Sequence, residues 1–241
     1  MEYNYHGIVL RQRKIGETDR LYTLYTLENG KFAIIGKGVR KMMSKNAPHL
    51  EDFMLSHVAI VRGRGLGVIK SAVAEYDFPT LHRSVDALQC AYRVRNLFDR
   101  LIDEREQDQK IFLLYTTYLR LLDYYALTDG NEETMTLITE SFLMKLYHLL
   151  GYHFSFGRCT TCKYVFIAMD RILFSAESGG LLCTSCARSV GNAVVLSQNA
   201  VKILRLIPQY SLKNLVKIRA SHVEIQILRS CNDHIAKWIM R

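Results

Sequence analysis

The segments YHGIVLRQR (residues 5–13), TDRLYTLYTL (18–27), KFAIIGK (31–37), FMLSHVAIV (53–61) and GVIKSAVAEY (67–76) are short and rich in Val, Ile, Tyr and Thr. Such runs suit a pleated, half-buried surface. Glu28-Asn29-Gly30 and Arg62-Gly63-Arg64-Gly65-Leu66-Gly67 lie between neighbouring segments and supply glycines for chain reversal. Five strands in succession without a helix predict a small antiparallel barrel. Residues 31–70 carry eight basic and two acidic side chains. The cations gather in Lys37, Arg40, Lys41 and Lys45, on the loop 37–45 between strands, and in Arg62 and Arg64. Small barrels grip oligonucleotides through such loops, with cations on phosphates and aromatics beneath bases. These six cations are the expected DNA-binding residues, supplying affinity and not sequence choice. Tyr22, Tyr25 or Phe32 could lie beneath bases, although each is expected first to fill the barrel.

After Phe78-Pro79 the apolar period changes to about 3.6. Leu81, Val85, Leu88, Tyr92 and Arg95, then Leu97, Phe98, Leu101 and Ile102, predict a first helix. KIFLLYTTYLRLLDYYAL predicts a second over roughly 109–127, and EETMTLITESFLMKLYHLL a third over 132–150, ending at Gly151 as a C-cap. Helical patterning returns at 197–207 and 221–239. The fold class is therefore α+β, a barrel of five strands followed by a helical domain.

Between these helices stand Cys159-Thr160-Thr161-Cys162 and Cys183-Thr184-Ser185-Cys186, two CxxC pairs separated by twenty residues. This is the spacing of a four-thiolate zinc site. FIAMDRILFSAESGGLLC, between the pairs, can fold back as a hairpin and bring them together. Four sulfurs leave no open coordination position, so one zinc held by Cys159, Cys162, Cys183 and Cys186 would be structural. A redox CxxC would need a thioredoxin-like βαβ context, which the pattern lacks. Cys90 and Cys231 fall on apolar helix faces as ordinary buried thiols.

The formal net charge is +9, with Lys+Arg against Asp+Glu at 12 to 8 over residues 1–80, 8 to 11 over 81–156 and 12 to 4 over 157–241. Basic ends favour a polyanion, of which nucleic acid is the commonest in the cytosol, or simply keep the surface soluble. No apolar run approaches the ~18 residues of a membrane span, and the start lacks the long apolar core of a signal peptide; a cytoplasmic protein is expected, with no membrane partner. Catalytic signatures are missing. Gly63-Arg64-Gly65-Leu66-Gly67 lacks the Gly-Lys-Ser/Thr ending of a phosphate loop, and no HExxH or GxSxG occurs. Asp103, Glu104, Glu106 and Asp108 read as a solvated turn, and His148 and His153 as helix-end histidines, so a nuclease has no carboxylate cluster to use.

Several runs carry a family resemblance: Gly7-Ile8-Val9-Leu10, Gly16-Glu17-Thr18-Asp19, Gly30-Lys31, Lys37-Gly38-Val39-Arg40-Lys41, Leu50, Phe53 and Arg62 to Gly67 in the barrel. Phe142-Leu143-Met144-Lys145-Leu146, Leu149-Leu150-Gly151-Tyr152, Phe174-Ser175 and Gly179-Gly180-Leu181-Leu182-Cys183 extend it. On these residues the chain resembles the RecO family of recombinational repair proteins over nearly its whole length. The resemblance implies an OB fold over 1–79 and a helical domain over 80–241 with an inserted zinc module at about 157–190. It implies a non-catalytic, nucleoid-associated protein that binds single- and double-stranded DNA and anneals complementary strands. It further implies work with RecR to load RecA onto strands coated by single-stranded-DNA-binding protein (SSB); the acidic C-terminal tail of SSB could itself dock on a basic, apolar groove, expected in the helical domain, which gives weight to an adaptor reading. The alternative is a protein-interaction adaptor with little direct DNA binding. The chain departs from the family pattern at Lys163 and Ala187, where a glycine often follows each CxxC, and at Asp52, where a proline is common.

Overall fold

The computed structural model describes residues 1–62, 65–127 and 132–241. Arg64 lies outside the described residues. Packing divides the chain into two compact units, Met1–Leu127 and Thr128–Arg241.

The first unit begins with β1 (Glu2–Ile15), β2 (Asp19–Thr26), β3 (Gly30–Gly36), β4 (Leu55–Val61) and β5 (Val68–Tyr76). β1 is long because it pairs on both edges: Glu2 to Ile8 run against β4, and Gly7 to Ile15 against β2. A register shift between Val9 and Arg11 bends it from one partner toward the other. The pairings form a ring in the order β1-β2-β3-β5-β4, joined between β3 and β5 by a parallel contact at Ile35 and Val68. Its interior holds Val9, Tyr22, Leu24, Phe32, Ile34 and Val58. Tyr25 points the other way, onto Phe98 at 4.9 Å. All three aromatics are thus enclosed, as the filling role expects, and the stacking alternative is corrected.

Two helices complete this unit, α1 (Val85–Leu101) and α2 (Gln109–Tyr125). The expected start of the first helix at Leu81 is a separate 3-10 turn, Leu81–Arg83, because Ser84 leaves helical geometry to cap α1, accepting from the Ala87 N–H. Asp123 on α2 accepts from the backbone N–H groups of Thr80 (2.8 Å) and Leu81 (2.9 Å), satisfying the turn's free donors. In the acidic stretch, Asp108 caps α2 and Glu106 accepts from the Asp103 N–H. Gly30 has φ 64°, and a Cβ there would run into the Glu106 carbonyl, so only glycine lets the β2–β3 turn lie on this loop. Charges cross the same boundary. Lys31, 8% exposed, donates to the Asp99 backbone carbonyl and sits 3.4 Å from its carboxylate. Arg95 pairs with Asp52 at 3.1 Å. Where the family favours proline, Asp52 therefore brings a half-buried carboxylate whose pKa burial raises despite that arginine, and Phe53 takes a positive φ of 71° leading into β4.

The second unit contains α3 (Glu132–Leu149), β6 (Ile172–Ser175), β7 (Gly180–Cys183), α4 (Thr184–Ala187), β8 (Val194–Leu196), α5 (Gln198–Leu206), α6 (Leu212–Leu215) and α7 (His222–Ile239). The expected hairpin is β6–β7, with β8 added on the far edge of β6. In the core between α3 and α7, Asn232 Nδ2 donates to the Glu140 carboxylate at 2.8 Å, and the Tyr147 hydroxyl to the Asn232 carbonyl. Ser221 and Glu224 form a reciprocal capping box at the start of α7.

Candidate metal centre and nucleic-acid interface

The hairpin brings the two CxxC pairs together. Cys183 closes β7 and Cys186 lies one turn later on α4, while Thr160 of the first pair donates its N–H to the Leu181 carbonyl at 2.8 Å. One ligand atom from each of Cys159, Cys162, Cys183 and Cys186 lies within 4.8 Å of all the others, and Cys162 Sγ is 3.7 Å from Cys183 Sγ. Tetrahedral zinc with ~2.3 Å bonds places its sulfurs about 3.8 Å apart. Four thiols at this spacing fit a metal ion.

The knuckle closes without the family's glycine. Lys163 adopts φ 64° itself, donating its N–H to the Cys159 carbonyl at 3.0 Å, while its ammonium reaches the Thr160 carbonyl at 2.7 Å. Burial pushes the Cys159 thiol up, but N–H groups of Cys162, Cys183 and Thr161 aimed at its sulfur bring it down to about 6. Hydrogen bonding to Cys183 and Cys162 pushes Cys186 up to about 12. A bound dication would favour the thiolate form of all four cysteines. His148 and His153 stand apart as a pair, their Nδ1 atoms 2.9 Å from each other. Cys231 is fully buried and Cys90 half-buried.

The basic loop is held at its base. Val39 is buried, Arg40 N–H donates to the Thr18 carbonyl at 2.9 Å, and Gly38 N–H to the Asp19 carboxylate at 2.8 Å. That backbone donor, the Thr18 hydroxyl and nearby Lys37 and Lys41 hold Asp19 below the usual carboxylate range. Sequence reasoning gave Asp19 no role; its signal is the Thr-Asp pair at a strand start, a side-chain acceptor for a neighbouring turn. Arg40 Nη1 donates to the Glu17 carbonyl at 2.6 Å. Lys37, Arg40, Lys41 and Lys45 are all exposed, and among the described residues none has a carboxylate within the 4.0 Å of an ion pair. Arg62 differs, because its guanidinium lies 5.6, 5.9 and 5.3 Å from the ring centres of Tyr3, Tyr5 and Phe32. Those rings hold it at one end of the barrel. The loop thus presents four cations to solvent on a pinned backbone.

Among the described residues no helix is long and apolar enough to cross a membrane. Known proteins resemble this chain along its length. The family model described as Recombination protein O N terminal matches residues 1–76, and that described as Recombination protein O C terminal matches 82–238. A DNA repair protein RecO of Dehalococcoides mccartyi is 29% identical over 218 residues, covering 90% of this chain and 83% of that protein. One from Pelotomaculum thermopropionicum is 29% identical over 219 residues, 91% of this chain and 82% of its own. A third, from Roseiflexus, is 29% identical over 220 residues, 91% and 74% respectively. The family boundary falls between 76 and 82, although α1 and α2 pack with the barrel. With both family models matched in chain order, this chain belongs to the RecO family of DNA repair proteins.

Proposed function

We propose that the chain is a non-catalytic recombination mediator. It binds single- and double-stranded DNA, anneals complementary strands, and with RecR helps load RecA onto strands coated by SSB. In this reading the five-stranded ring, in its order, is an OB fold over 1–79. Its DNA contacts are Lys37, Arg40, Lys41 and Lys45, with Arg62 and Arg64. The helical domain over 80–241 would receive the acidic SSB tail, and the protein would work in the cytoplasm at the nucleoid.

The observation that supports this reading is the pinned loop of four cations without ion partners. A loop whose geometry is fixed in advance spends little ordering entropy when it meets phosphates. Cys159, Cys162, Cys183 and Cys186 would hold one zinc ion, which supplies a cross-link between the two knuckles and no reaction chemistry.

Fluorescence anisotropy of a labelled single-stranded oligonucleotide, titrated at several salt concentrations, tests the proposal. Affinity that falls steeply with salt is expected. Absence of binding even at low salt overturns it in favour of the adaptor. One observation favours that second reading: Tyr164, Val165, Ile167 and Met169 form an exposed apolar run after the first CxxC.

A further inference from the structure

A cavity of about 640 Å³ opens in the 128–241 unit. Its wall is made by Asp233, His234, Lys237, Trp238 and Arg241 at the end of the chain's last helix, by Glu177 from the β6–β7 turn, and by the stretch 191–194. That volume lies within the roughly 300–1,000 Å³ usual for small-ligand sites.

Trp238 is the one tryptophan of the sequence. The rings of Tyr152 and Phe154 stand at 80° and 70° to it, with centroids 5.8 and 6.3 Å away, so the indole is braced by packing. His234 contributes a second fixed group. Its Nε2 is buried and has no hydrogen-bond partner. Burial, together with Arg241 and Lys237 and against nearby Glu177, holds this imidazole below its usual pKa. Lys237 and Arg241 add two exposed cations at the rim. Asp233 and Glu177 line the same cavity and can accept from a base amino group or a sugar hydroxyl, so an aromatic platform, carboxylate acceptors and two rim cations together match a nucleotide. A purely apolar ligand would leave His234 and both cations unanswered.

We infer that this cavity is a nucleotide-binding pocket in which a base stacks on Trp238, its polar edge meets His234 and its phosphate meets Lys237 and Arg241. The inference rests on the DNA-binding reading for its strand source. A nucleotide within a single strand and a free mononucleotide offer the same chemistry, and the test separates them.

The full-length protein is titrated with thymidine monophosphate and, separately, with a short oligothymidylate, following the emission of Trp238. Saturable quenching by the oligonucleotide alone assigns the pocket to a nucleotide within a strand; quenching by both shows that a free nucleotide suffices. Lys237→Glu with Arg241→Glu shifts the quenching titration to higher ligand concentration, and both positions are exposed, so folding is not at stake. Trp238→Ala weakens oligothymidylate affinity by anisotropy roughly fivefold or more, whereas Trp238→Phe, which keeps a ring, restores most of it. Absence of quenching by either ligand overturns the pocket, as does quenching indifferent to the charge reversals. Anisotropy recorded on the same samples decides the DNA-binding reading separately, so failure of the pocket and failure of that reading give different results.

Discussion

Replacing Lys37, Arg40, Lys41 and Lys45 together with alanine removes the exposed charge of the loop. Each phosphate contact on a single strand contributes about 0.7 to the slope of log affinity against log salt. Four contacts would remove about 2.8 from that slope. Asp19 lies beneath the loop and Arg40 is partly engaged by the Glu17 carbonyl, so three effective contacts, about 2.1, form the lower bound. Over a fourfold rise in salt, from about 50 to about 200 mM, slopes of this size amount to a roughly 20- to 50-fold loss of affinity, which the native protein suffers and the variant does not. The assay is anisotropy at a series of salt concentrations, with a thermal midpoint for each variant to show that the fold is intact. Because all four side chains are exposed, that midpoint should move little. A variant that keeps its midpoint and a slope within about half a unit of the native one would refute the assignment of phosphate contact to this loop.

Protein purified without chelator should carry about one zinc per chain, lost with Cys183→Ser along with a drop in thermal midpoint; metal analysis that finds no zinc in the native protein defeats the four-thiolate reading. Lys163→Gly trades relief of a left-handed backbone against greater freedom of the unfolded chain and should change stability by less than about 1 kcal/mol. Lys163→Val, whose branched side chain tolerates φ 64° poorly, should be less stable by about 1–2 kcal/mol, and equal midpoints for the two variants would contradict the knuckle geometry. His6 lies 2.7 Å from Glu28 and 3.2 Å from Glu75, and the hydrogen bond to Glu28 raises its pKa. A raised histidine contributes stability that is complete below about pH 6.5 and lost as pH rises through the folded value. The ring is half exposed, which limits the effect to a few tenths of a kcal/mol. The gap in thermal midpoint between native protein and His6→Ala should close as pH rises from about 6 to about 8, and a gap that widens would reverse the assignment.

The strands of the barrel were legible because β-branched and aromatic residues recur between glycine turns, a signal contained within each segment. The four-cysteine cluster was legible for a related reason: CxxC spacing is local, and a hairpin is the shortest way to join two such turns. The break at Ser84 was not, because the apolar period runs through it while a hydroxyl cap decides where the helix starts. β8 has only three residues and exists through its pairing with β6, too short for any periodicity. Cation spacing showed the loop at 37–45, but not what pins it. Asp19 and Gly38 are 19 residues apart and meet only once β2 and β3 have paired. The cavity beside Trp238 was hidden for the same reason, since Glu177 reaches it from a different part of the chain.

The ion pairs between barrel and helices bear on where the chain can be cut. A fragment ending at residue 79 would keep all five strands of the barrel yet lose Asp99, which answers Lys31, Arg95, which answers Asp52, and the Phe98 ring against Tyr25. It would expose an aromatic face and leave a barely solvated lysine without its counter-charge. Residues 1–127 retain all three contacts. For work on the isolated barrel, the piece that keeps its contacts is therefore the longer one, and the change in sequence character near Pro79 marks a joint inside a compact unit.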